Sequence, residues 1–292
     1  MRVSRHRRRK TAALAAAVAA VAGAVAGCGS AGHHASPLLG PLGYWTRNRL
    51  LHARPWGEGP AVSPSATPTA RTRRATLQQS RVGALFAEGA TGNHFCTASV
   101  VDSAGHNLLI TAAHCVSGGK NGGYAKNIVF IPGYRDGAAP FGVWTPSRLL
   151  VAPQWQKSSD PGYDVGFVTL NSNHGKNIQD ILGANRLRFN PGYRESVRVT
   201  GYPDNGNAPV VCRNWTTEQS PTQLRFNCAG FYDGTSGSPF VTHFSPLSRT
   251  GTIIGVIGGY QQGGDTPSVS YSSYFGSGIE SLYSEADRRP AS

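Results

Sequence analysis

Acidic residues are almost missing from the first 81 positions of this 292-residue chain: Glu58 stands alone against 13 Lys and Arg, a balance of +12. Residues 82–292 hold 15 Lys and Arg against 14 Asp and Glu, so nearly all of the formal charge of +13 lies in the leader. A nucleic-acid reader carries its basic surface on the folded domain, and here that part is close to neutral, which argues against nucleic acid as a partner. Residues 29–81 also lack a sustained apolar period and carry runs such as Pro60-Ala61-Val62-Ser63-Pro64, the texture of a disordered linker or propeptide. Clusters with metal-ligand spacing are missing as well. His33 and His34 form an adjacent pair without further ligands, so no metal or other cofactor is expected.

What the leader does contain is legible. Arg2, Arg5, Arg7, Arg8, Arg9 and Lys10 form a basic start, and an uncharged alanine- and valine-rich stretch runs from Thr11 to Gly27. It is short and weakly hydrophobic for a membrane span, and it resembles a signal peptide. Val25-Ala26-Gly27-Cys28 resembles the lipobox of bacterial lipoproteins, which implies a lipid on Cys28 and a mature chain starting there. Residues 1–28 are therefore expected to direct export, with a location outside the cell or on the outer face of its membrane. Contact with the membrane is expected only through that anchor. Five cysteines in an exported chain leave one odd, and Cys28 is the one outside the globular region. The other four allow three pairings. Cys96 with Cys115 and Cys212 with Cys228 is the expected one, because each closes a short local loop in a compartment that tolerates disulfides.

From Val82 the chain alternates short apolar runs with Gly, Pro, Asn and Asp. Strands are predicted at 98–101, 107–110, 128–131, 148–151, 165–170, 196–202, 210–213, 223–228, 238–242, 253–258 and 268–274. Helical periodicity is confined to the end, where Ile279, Leu282, Tyr283 and Ala286 mark one apolar face through Asp287. This is an all-β domain, sandwich or barrel, with a C-terminal helix docked on it.

The chemistry concentrates in Gly234-Thr235-Ser236-Gly237-Ser238-Pro239 and, 122 residues upstream of Ser236, Thr111-Ala112-Ala113-His114-Cys115. A serine hydroxyl is a weak nucleophile unless a histidine takes its proton and N–H donors stabilise the oxyanion that forms. A third group must hold the imidazole in the right tautomer. Asp164 is the best candidate: it precedes the apolar run Val165-Gly166-Phe167-Val168, where a lone carboxylate would be costly without a partner. Asp160 and Asp136 lie in Gly/Pro/Ser-rich loops. The order His114, Asp164, Ser236 disagrees with the Ser, Asp, His order of nucleophile-elbow hydrolases, and Ser238 stands where the elbow pattern needs glycine.

These three motifs in this order resemble the chymotrypsin/trypsin-like serine peptidases, over roughly residues 82–285, with Val82-Gly83-Ala84-Leu85-Phe86 and Asn93-His94-Phe95-Cys96 resembling extracellular actinomycete-type members. The resemblance implies two packed antiparallel six-stranded β-barrels, 82–190 carrying His114 and Asp164 and 191–292 carrying Ser236. It implies a disulfide Cys96–Cys115 beside the histidine, oxyanion donors on Gly234 and Ser236, and a pocket shaped by Gly230, Phe231, Gly258, Gly259 and Tyr260. The expected activity is serine endopeptidase, acting on peptides or proteins as a monomer. The competing readings are a catalytically silent surface binding lipoprotein on the same fold and a serine esterase. Two departures matter. Thr235 stands where trypsin-like chains carry the aspartate that pairs with a freed N-terminus, and Gly230 stands where they carry the aspartate that selects Lys or Arg. Ile257 replaces the histidine of glutamate-specific relatives, so the expected pocket is uncharged. Arg81-Val82 resembles a processing site.

Overall fold

A hairpin buried on both faces opens the domain. β1 (Val82–Gly89) and β2 (Gly92–Val101) pair antiparallel from Val82 opposite Ser99 to Gly89 opposite Gly92. β1 is absent from the predicted strands because its first six residues are all buried and show no alternation. Leu85 and Ala87 point into the barrel, whereas Ala84 and Phe86 point outward onto a second apolar cluster that includes Trp45, Leu50, Phe95 and Tyr134. The computed structural model describes residues 40–56, 73–74, 81–89, 91–203 and 208–288. The signal-like segment, Cys28, the His33-His34 pair and Glu58 lie outside the described residues.

The first sheet continues with β3 (Leu108–Thr111), β4 (Lys126–Pro132), β5 (Pro146–Val151) and β6 (Gly166–Leu170), in the order β4-β1-β2-β3-β6-β5. Phe130 of β4 and Trp144, just ahead of β5, exchange backbone hydrogen bonds of 2.8 and 2.9 Å, which joins the two ends of the path. The second sheet holds β7 (Ser196–Gly201), β8 (Val210–Ser220), β9 (Gln223–Asn227), β10 (Pro239–Thr242), β11 (Thr252–Val256) and β12 (Val269–Ser273), ordered β12-β9-β8-β7-β10-β11. Its ends meet where the Gly258 N–H donates to the Tyr271 carbonyl at 3.0 Å. Around either ring the strands follow one cyclic order: first, second, third, sixth, fifth, fourth. Two-residue strands, Arg54–Pro55, Arg73–Arg74 and Arg186–Leu187, add to these sheets.

Each sheet curls around its own core, one built on Leu85, Val100, Phe130, Trp144 and Val168, the other on Val199, Leu224, Phe226, Phe240 and Ile254. A further cluster joins the two sheets through Ile110, Phe167, Val241, Ile253 and Phe275. The C-terminal helix (Ser277–Asp287) closes it with Ile279, Leu282 and Ala286, the apolar stripe predicted from the sequence. Burying the Ile and Leu side chains contributes roughly 2 kcal/mol each. The helix is clamped to the first barrel. Tyr283 donates its hydroxyl to the Asp102 carbonyl at 2.8 Å, and Arg148 pairs with Glu285 at 2.8 Å.

Composition assigned residues 29–81 to a disordered linker or propeptide, yet 40–56 is packed. Two short helices, Gly40–Tyr44 and Arg47–Leu51, place Trp45 and Leu50 at 8% and 9% exposure against the outer face of β1. With two large apolar side chains in so few residues, the polar average of the segment hides a docking stripe. Arg81 is also tied down. Its carbonyl accepts from Val100 N–H at 2.8 Å, so cleavage of Arg81-Val82 requires the start of the hairpin to open.

Candidate active site

β3 ends at Thr111, and the chain turns at once into the tight helical turn Ala113–Cys115, which presents His114 between the barrels. The Cys96–Cys115 disulfide, with a sequence separation of 19, fastens that turn to β2. The second disulfide joins Cys212 and Cys228, so both expected pairings are present. Asp164 follows another tight turn, Pro161–Tyr163, whose N-cap is Asp160 accepting from Gly162 N–H at 2.8 Å. That cap role occupies Asp160 and leaves Asp164 to face the histidine.

The contact is close and dry. His114 Nδ1 lies 2.7 Å from Asp164 Oδ2, and the His114 backbone N–H donates to Asp164 Oδ1 at 2.9 Å. Asp164 is fully buried and His114 is 3% exposed. Burial pushes the Asp164 carboxyl up, but the neighbouring imidazole and the hydrogen bonds from His114 and Gly259 outweigh it, so its pKa sits below the ordinary carboxylate value. An ionised carboxylate can only accept, so Nδ1 carries the proton and the lone pair of the neutral ring is on Nε2.

A third donor to Asp164 escaped sequence reasoning. The Gly259 N–H donates to Oδ2 at 2.8 Å. Gly258 makes room for it: a Cβ there would meet Asp164 Oδ2 and Ala112 Cβ at 3.1 and 3.2 Å. Gly258 and Gly259 are expected as a pocket wall; here the Gly259 N–H holds the carboxylate and Gly258 leaves it room. The buried Gln223 was missed as well. Its Oε1 accepts from the Tyr260 N–H at 3.0 Å while its Nε2 donates to the Pro161 carbonyl at 2.9 Å, tying the Tyr260 segment to the turn before Asp164. No local motif marks a glutamine for this role; only its lack of exposure does.

The Ser236 loop is built from the opposite barrel. Gly234 and Gly237 adopt φ of +89° and +83°, closed to most side chains, and a Cβ on Gly237 would lie 2.0 Å from the Thr97 carbonyl and 3.2 Å from Ala112 N. The loop therefore passes directly against the strand end that leads into His114. Thr97 N–H donates to the Ser236 carbonyl at 2.8 Å, and Gly237 N–H donates to the Ile257 carbonyl at 2.7 Å. Thr235 donates its hydroxyl to the Tyr232 carbonyl at 2.7 Å, fixing the loop from within. Among the described residues, neither the Gly234 and Ser236 N–H groups nor the Ser236 hydroxyl has a hydrogen-bond partner.

A cleft of ≈390 Å³ adjoins the site, lined by Trp56, His114, Trp155, Pro161, Gly259 and Gln261 among others. Of the predicted pocket residues, Gly259 lines it. Phe231 is 4% exposed and edge-on to Phe226, so its ring belongs to the core of the second barrel. Gly230, at φ +95°, donates its N–H to the Pro267 carbonyl at 2.8 Å, and Tyr260 stacks edge-on against Tyr271. Cys96, His114 and Cys115 offer three ligand-type atoms close together, but both sulfurs are committed to the disulfide, so the group is no metal site.

Residues 69–274 match the family described as Trypsin. The chain belongs to the trypsin family. This trypsin-family chain is similar in structure to the protease Anisep from Arthrobacter nicotinovorans, with a TM-score of 0.66 and 28% identity over 73% of this chain and 98% of that one. It is similar also to the thermostable serine protease AL20 from an extremophilic microorganism, with a TM-score of 0.67 and 27% identity over 73% of this chain and 99% of the other. A glutamyl endopeptidase at 15% identity and a TM-score of 0.62 shares the fold. No curated protein matches the chain. The trypsin-family fold is what the two curled antiparallel sheets and C-terminal helix make: mostly β, chymotrypsin-like, with a serine peptidase as the family's type.

Proposed function

We propose that the chain is an exported serine endopeptidase that cleaves peptide bonds through an acyl-enzyme, with Ser236 as nucleophile, His114 as base and Asp164 as the group that orients it. The observation that carries this reading is the buried Asp164–His114 contact, which puts the lone pair of the neutral imidazole on Nε2. Nε2 takes the proton of the Ser236 hydroxyl as the oxygen attacks the scissile carbonyl, and returns it to the leaving amine. Water then repeats the cycle on the acyl-enzyme. The N–H groups of Gly234 and Ser236 take the oxyanion, each contributing about 3 kcal/mol to the transition state.

Thr235 has no carboxylate to pair with a freed N-terminus and instead ties its loop to Tyr232, which favours a site formed without N-terminal insertion. Gly230 and Ile257 leave the primary pocket without a charge, favouring uncharged side chains. Four cysteines paired in two disulfides favour action outside the cytoplasm, and Cys28 would tether the enzyme by a lipid. No helix among the described residues is long and apolar enough to cross a membrane. The deciding experiment treats the purified full chain with a fluorophosphonate and maps the adduct. Label on Ser236 that disappears in His114→Ala is the expected result, and folded protein with no adduct would sink the peptidase reading. Metabolic fatty-acid label lost in Cys28→Ala tests the anchor.

A further inference from the structure

The edge of β2 next to Ser236 is already occupied by the chain's own N-terminal segment. Arg54–Pro55 runs parallel to β2, Arg54 opposite His94 and Pro55 opposite Phe95, and the Trp56 N–H donates to the Phe95 carbonyl at 3.0 Å. Two residues further along the same strand, the Thr97 N–H holds the Ser236 carbonyl. At about 3.3 Å per residue, the segment ends roughly 7 Å along the strand from the backbone of the nucleophile loop. The Trp56 ring sits edge-on to His94 with centroids 5.0 Å apart, and it lines the cleft that His114 lines.

The segment is anchored ahead of this contact. Trp45 and Leu50 are buried against β1, and the Tyr44 hydroxyl donates to Asn93 Oδ1 at 2.7 Å. It therefore reaches the edge from a fixed point, which raises its local concentration there. Its backbone pairing with the edge is short, and the Trp56 ring, packed against the core of the first barrel, supplies the rest of the hold. The pairing is parallel and two residues long, and Pro55 has no N–H to give.

The geometry points to an internal blocker: Trp56, carried to the β2 edge by Arg54 and Pro55, stands in the part of the cleft that a substrate must enter with the residues following its scissile bond. The inference rests on Ser236 being the nucleophile. A short acyl substrate ends before this edge and is unaffected, whereas a longer peptide must displace Trp56 and its hydrogen bond to Phe95. The device makes the chain selective against extended substrates until the segment lifts off, by displacement or by proteolysis.

The test compares, on the full chain, two substrates with the same acyl part, one an anilide and one a peptide with three residues beyond the scissile bond. Trp56→Ala should raise kcat/KM for the longer peptide about tenfold and leave the anilide within about twofold, because only the former needs the segment displaced. Trp56→Phe, which keeps an aromatic ring in the seat, should stay near the parent. Equal changes for both substrates, or none for the longer one in a cooperatively melting variant, overturn the blocker. If Trp56→Ala fails to fold, hydrogen exchange in the parent chain decides. Adding a tripeptide amide that mimics the leaving side should speed exchange at the Trp56 amide, and unchanged exchange at saturating peptide overturns the proposal. Absence of the fluorophosphonate adduct at Ser236 would mark failure of the peptidase reading; its presence with insensitive kinetics marks failure of the blocker alone.

Discussion

Replacing Asp164 by asparagine exchanges one carboxylate oxygen for an NH₂ at a fully buried position. Asp164 accepts three hydrogen bonds, from the His114 backbone, His114 Nδ1 and the Gly259 N–H. The asparagine side chain keeps one acceptor for the His114 backbone but presents its NH₂ where Oδ2 stood. That group donates to Nδ1, so the ring proton moves to Nε2 and the lone pair that Ser236 needs in the proposed mechanism is gone. The expected fall in kcat is about 10⁴-fold, or roughly 5 kcal/mol of barrier. KM should move little, because no atom of Asp164 faces the substrate. The Gly259 N–H is left facing a donor in a dry site, which destabilises the fold by about 1–3 kcal/mol. The assay is steady-state hydrolysis beside a denaturant melt. A loss of less than about tenfold in a variant that melts cooperatively would refute the role given to Asp164. The pH dependence offers a second reading of the same contact. A carboxyl whose folded pKa lies below its ordinary 3.8 adds stability that is fully present above that value and is lost as pH falls through the folded pKa. The parent chain should therefore lose stability in acid along a limb that Asp164→Asn lacks.

Gly234→Ala forces a Cβ to 2.4 Å from Phe95 Cε2 and 2.9 Å from the Tyr202 carbonyl, at a φ of +89°. It should destabilise the chain by roughly 2–4 kcal/mol and suppress fluorophosphonate labelling of Ser236, read by melt and mass spectrometry. Removing the Cys96–Cys115 bridge with paired alanines frees a loop of 19-residue separation and should lower the unfolding free energy by about 3 kcal/mol, measured by denaturant titration. Tyr283 is pushed up to about 12, by burial first and then by Asp287 and Asp102. Its protonated form is favoured in the fold, so its contribution is full below the ordinary 10.0 and is lost as pH rises through about 12. Tyr283→Phe should flatten that alkaline limb of the stability profile, and an unchanged limb would remove Tyr283 from the account.

Legibility ended where burial ceased to alternate and where partners lay far apart in the chain. The strands from β3 onward show in the sequence, within a few residues at their ends, because their apolar runs are bounded by turn residues. The exception is β8, which continues to Ser220 where the prediction stops at 213, its mostly exposed second half lacking an apolar run; of β2 only 98–101 shows. β1 does not, since the packed 40–56 segment covers its outer face and erases the period of two. The short helices Pro153–Ser158 and Ile178–Leu182 are too brief to show a helical period. Trp45 and Leu50 sit in a stretch whose composition reads as linker, and two anchors do not move an average.

The sequence by itself determined the class of the fold and the two local disulfide loops, and it named the chemical groups of the proposed site. Those signals are short-range: a nucleophile needs glycines beside it, a buried carboxylate announces itself by the apolar run that follows, and a strand shows its pattern within a few residues. Only the tertiary structure decided that Asp164 meets His114 across 50 positions, that Gly259 reaches it across 95, and that Trp56 stands in the cleft. The Asp164–His114 bonds are set by β3 and β6 pairing side by side in one sheet, and the Gly259 bond by how the two barrels close on each other; neither leaves a periodic trace in the chain.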